Sequence, residues 1–110
     1  MQYAYQSEKL SAARRCLMLP HSQGIETSIA GAFHECSLAF DQMDESRLGD
    51  EASRWVAKIK EFMDTSGISD PKQEGTWTVK ARTLSTDQQL ELSHLVDELA
   101  HFFERKSWES

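Results

Sequence analysis

The stretch from Ser85 to about Lys106 constrains this chain most, because its start, its end and its buried face can all be read. Ser85 followed by Gln88 fits a capping box, in which the hydroxyl accepts a backbone N–H and the Gln88 side chain reaches back to the cap. Asp87 in the first turn and Arg105 and Lys106 in the last suit the helix dipole. Leu92, Leu95, Val96, Leu99, Phe102 and Phe103 recur at helical spacing. A helix with so definite an apolar stripe needs other elements to bury it against.

Three further segments offer matching faces. Ile29, Phe33, Cys36, Phe40 and Met43 alternate at steps of four and three, which predicts a packed helix from about Ile25 to Met43. Acids from Asp41 to Glu45 oppose the dipole at its end, so they fray it or serve the turn that follows. Gly49-Asp50 reads as a break and a new N-cap, opening a helix to about Asp64 with Ala52, Trp55, Val56, Ile59, Phe62 and Met63 on one side. The first segment, Ser7 to Met18, is expected to start with Ser7 as N-cap and to stop before Pro20, with a narrow stripe of Leu10, Ala13 and Leu17.

The connection from Thr65 to Leu84 is long for a compact domain and is expected to carry structure of its own. Trp77, Val79 and Ala81 alternate with Thr78, Lys80 and Arg82, a pattern of period two. The preferred reading is an irregular, partly extended loop that lays Trp77 over a bundle end. A strand paired with Tyr3-Ala4-Tyr5, or with its counterpart in a second subunit, is the alternative. The expected fold is therefore all-α: a small up-and-down bundle of about four helices, residues 1–110 forming one domain, with a long partly extended connection between the last two helices. A three-helix core with the first helix loosely attached or swapped is the competing arrangement.

Composition sets the class. With 39% hydrophobic and 27% charged residues the chain lies outside the range typical of disorder and has enough apolar content for one modest core. The start lacks an uninterrupted apolar leader and no window approaches a membrane span, which predicts a cytoplasmic protein with no membrane partner. Net charge is −6, unevenly spread: residues 1–23 hold Lys9, Arg14 and Arg15 against Glu8 alone, whereas residues 24–70 carry the same net −6 as the whole chain. Nucleic-acid affinity comes largely from neutralising phosphates, and neither Arg14-Arg15 nor Lys80/Arg82 makes a basic patch. The base-rich recognition helix of a helix-turn-helix regulator is missing too, so nucleic acid is not an expected partner and a nucleic-acid-associated regulator is only the weaker alternative.

The conspicuous chemistry is a pair of Glu-x-x-His motifs, Glu91/His94 and Glu98/His101, seven residues apart in the last helix. Ferritin-like bundles use such motifs to hold an interior metal pair, but there the motifs sit on different helices and point inward. On a helical wheel with Leu92 at zero the core stripe centres near roughly 340°, while these four residues fall between roughly 180° and 260°. They flank or oppose the buried face. The expectation is a solvated Glu/His surface with no resident cofactor, and a transition metal bound across a subunit contact is the alternative.

Other constellations are weaker. Cys16 and Cys36 lack metal-ligand or redox spacing and read as buried, reduced thiols. Ser22 beside His21 has no nucleophile elbow or acid partner, the glycines are scattered singly, and catalysis is not expected. Arg14 and Arg15 point about 100° apart on a helix, so they read as a solvated edge rather than one anion site. Apolar residues outside the clean stripes are the better functional clue: Leu38 and Leu90 lie far from their helices' core lines, and Trp77 and Trp108 fall outside any stripe. These four are the candidate interaction surface, and a protein partner or a second copy in a homodimer is the expected ligand.

Overall fold

The computed structural model describes residues 3–18, 24–41 and 43–109, and among them the regular structure is entirely helical. The elements are α1 (Ala4–Met18), α2 (Ile25–Asp41), a 3-10 turn (Glu45–Arg47), α3 (Asp50–Met63), α4 (Thr76–Arg82) and α5 (Thr86–Glu109). The expected turn at Pro20 and the His21/Ser22 pair lie outside the described residues.

At α5 the capping box forms as expected. The Ser85 N–H donates to Gln88 Oε1 at 2.8 Å, and the Gln88 N–H donates to Ser85 Oγ at 3.1 Å. The helix then runs three residues past Lys106 to Glu109. Lys106 stabilises that last turn by reaching forward to Glu109 at 3.4 Å while its ammonium lies 5.7 Å from the Phe102 ring. At 24 residues α5 is about 36 Å long and forms the spine of the molecule.

Three boundaries differ from expectation, each for a local reason. α1 begins three residues before Ser7, whose N–H bonds to the Tyr3 carbonyl at 2.8 Å, so Ser7 is interior rather than a cap. The added turn is anchored from outside: buried Gln6 donates to the Ala39 carbonyl of α2, and Tyr3 stacks at 5.3 Å on Phe103 of α5. α2 stops at Asp41, and the acids beyond it serve the next turn, where Asp44 Oδ1 accepts the N–H and hydroxyl of Ser46. Those two bonds hold the Asp44 carboxyl below its usual range. The cap of α3 is Gly49 rather than Asp50; its φ of 85° is a conformation that L side chains avoid. Asp50 and Glu51 thereby move into the first turn, where the dipole favours acids.

The largest correction concerns residues 76–82, which are a helix and neither an extended loop nor a strand. Among the described residues the bundle has five α-helices, where about four are expected. An isolated strand would leave its backbone groups without partners, whereas a helix satisfies them internally. The apolar residues also fit a helical step, since Trp77, Ala81 and Leu84 fall at i, i+4 and i+7. The approach to α4 is held by Asp70, whose carboxylate oxygens accept the N–H groups of Glu74 and Gly75 at 2.9 and 2.8 Å. Glu74 in turn grips Arg82 with two bonds, at 2.7 and 2.8 Å.

Packing is pairwise and antiparallel. α1 lies against α2, with Lys9 near Glu35 and Cys16 near Gly31. α4 covers α2 through Phe33 and Trp77, α3 meets α5 through Trp55 and Phe102, and α1 runs against α5 from Tyr3/Phe103 to Arg14/Asp97. One core joins all five helices, centred on fully buried Leu10, Phe33, Val56, Ile59, Leu99 and Phe103. Among the described residues no helix is long and apolar enough to cross a membrane.

Candidate functional site

The Glu/His surface of α5 faces outward. Glu91, His94 and His101 are exposed and Glu98 is half-buried. Their contacts stay on their own helix: His94 Nε2 is 3.9 Å from Glu98 Oε1, and His101 Nδ1 lies 3.1 Å from the Asp97 carbonyl and 3.7 Å from its carboxylate. Among the described residues no three His, Cys, Asp or Glu side chains gather as a metal cage. A metal on this face would draw its remaining ligands from another molecule.

Both thiols belong to the packing. Cys36 is fully buried, and burial pushes its pKa up to about 12, with Glu35 adding to the effect. Half-buried Cys16 is raised as well, first by burial and then by Glu35. Neither thiol is poised as a nucleophile.

The four candidate interaction residues separate into two kinds. Leu38 is half-buried on α2. Trp77 is packed edge-on against Phe33 with ring centres 6.3 Å apart, and its indole N–H donates to the Met63 carbonyl at 3.1 Å, closing α4 over the end of α3. Leu90 and Trp108 stay 65% and 80% exposed. Eighteen residues apart on one helix, these two are separated by about 27 Å and do not share a patch.

Trp108 instead borders a groove of about 510 Å³ between α1 and the end of α5. Ser7, Ser11, Arg15 and Met18 line one side at helical steps of four, four and three; Glu104 and Trp108 line the other. Arg14 also reaches the groove, but its Nε lies 2.9 Å from Asp97 Oδ1, ion-paired although off the line of a hydrogen bond. Arg15 and Glu104 have no ion-pair partner within 4 Å among the described residues, and Met18 is 67% exposed. The groove therefore offers hydroxyls, a cation and an anion that have no ion-pair partner among the described residues, and two large exposed apolar side chains. Its volume lies within the range typical of ligand sites.

A wider depression of about 660 Å³ beside Trp77 is a weaker candidate. It is shallow, and Lys60 within it is already engaged by Glu45 at 2.7 Å.

Sequence reasoning singled out Trp108 and considered Arg15 only as half of an Arg pair; it missed Ser7, Ser11, Met18 and Glu104. The legible signal was the Ser7/Ser11/Arg15/Met18 line beside the Leu10/Ala13/Leu17 stripe, which treating Ser7 as a cap concealed. Compared with family models, curated proteins and solved structures, the chain has no significant match.

Proposed function

We propose that the protein is a non-catalytic interaction module whose docking surface is the α1/α5 groove. The observation that carries this reading is the exposure of Met18 and Trp108, at 67% and 80%, beside one concavity, whereas Trp55 and Trp77 pack against the core. Exposed aromatic and methionine side chains beside an Arg are the composition of interface anchors. The shifted ionisations support the non-catalytic part, because each has a structural cause: burial for the two cysteines, turn capping for Asp44 and Asp64, and the Arg82 pair for Glu74.

Selection of displayed peptides on the wild-type protein tests the reading, with a Met18→Ser/Trp108→Ala variant as the control surface. The expected result is enrichment of peptides that lose binding to the variant while its thermal melt is unchanged. Peptides that bind both surfaces equally, or no enrichment at all, would sink it.

A further inference from the structure

Resting on that docking reading, we infer that the occupant of the groove is a second copy of this chain. The two copies meet about a two-fold axis, with each Trp108 in the other's groove and each Arg15 facing the partner's Glu104.

An isologous contact requires one patch to carry both halves of every interaction, because the same surface is used twice. This groove does so. It holds one cation, Arg15, and one anion, Glu104, each without an ion-pair partner among the described residues, together with a concavity and an exposed indole at its edge. A partner of a single charge would satisfy one of those groups and repel the other, whereas a copy related by a two-fold axis satisfies both. Arg14 does not disturb the balance, since Asp97 already neutralises it.

The distribution of charge favours the same face. At net −6, copies of the chain repel one another in general. Residues 1–23, whose α1 lines one side of the groove, carry net +2 in a chain of net −6, so contact there meets less repulsion than contact through the acidic residues 24–70. Trp108 gives the contact its apolar anchor, and the groove's volume of about 510 Å³ has room for an indole.

Sedimentation equilibrium across a concentration series tests this with four proteins: wild type, Arg15→Glu, Glu104→Arg and Trp108→Ala. The wild type is expected to dimerise. Either charge reversal alone weakens the dimer, and Trp108→Ala weakens it by on the order of 30-fold, the loss typical of an interface anchor. An equimolar mixture of Arg15→Glu and Glu104→Arg is expected to recover dimer, because in the mixed pair one contact is native and the other carries both reversals. Both substitutions are at exposed residues, and recovery on mixing also shows that each variant is folded. A wild type that stays monomeric at millimolar concentration overturns the second copy while leaving the docking groove to the peptide selection. A dimer indifferent to the reversals, or a mixture that does not recover it, overturns it as well.

Discussion

Trp77 and Trp108 both stand outside the amphipathic stripes of the sequence, and the structure puts them to opposite uses. Around Trp77 the molecule satisfies itself. The indole N–H has an acceptor in Met63, the ring has a neighbour in Phe33, and the loop leading to α4 is tied by Asp70, Glu74 and Arg82. Around Trp108 it does not: the ring is 80% exposed, and Arg15 and Glu104 face the same groove without ion-pair partners among the described residues. An aromatic residue off the core stripe is therefore ambiguous until its N–H and its charged neighbours are accounted for. The side of the molecule that is left over, rather than the side that is most decorated, is where a partner is expected.

Truncating the two tryptophans should break the symmetry between them most visibly. Trp77→Ala removes a packed ring and orphans the Met63 carbonyl, and is expected to cost about 3 kcal/mol in urea denaturation. At concentrations where the chain is monomeric, Trp108→Ala is expected to stay within about 0.5 kcal/mol of wild type, as exposed positions do. Comparable losses at the two sites would mean that Trp108 belongs to the fold.

A smaller contrast compares two serines. Ser85→Ala deletes the α5 cap and should cost about 1 kcal/mol, read as a lower melting temperature. Ser11→Ala on the groove side should leave the melt unchanged.

The smallest contrast is between two glutamates and depends on pH. Arg82 holds the Glu74 carboxyl below its ordinary value. Its contribution to stability is therefore full above that ordinary value, about 4.5, and is lost as pH falls through the lowered native value. Glu74→Gln should lower stability slightly at neutral pH, with the difference from wild type vanishing in acid. Glu104→Gln, at an exposed position, should leave stability at neutral pH unchanged.

How much of this could be read beforehand follows from the range of the interactions. The capping box of α5, the stripes of α2 and α3 and the outward direction of Glu91, His94 and His101 depend on neighbours within a few residues, and all are legible. α4 was hidden because seven residues are too few to fix a period. Trp77, Val79 and Ala81 alternate like a strand, while Trp77, Ala81 and Leu84 step like a helix, and contact with Phe33 accompanies the helical outcome. The early start of α1 depended on Gln6 finding Ala39 across the bundle, which no local window contains. The groove was hidden for the same reason: Ser11 and Trp108 are brought together only by the fold. Within the Arg14-Arg15 pair only the structure assigns Arg14 to Asp97 and leaves Arg15 over.

The division between a tryptophan spent on the fold and one kept for a partner is tested most directly by following the indole N–H resonances of the native protein from micromolar to millimolar concentration. Trp108 alone is expected to shift or broaden as protein concentration rises, with Trp55 and Trp77 unmoved. A Trp108 resonance that stays fixed throughout, or a Trp77 resonance that moves instead, would contradict the assignment of the α1/α5 groove as the surface that meets a second copy.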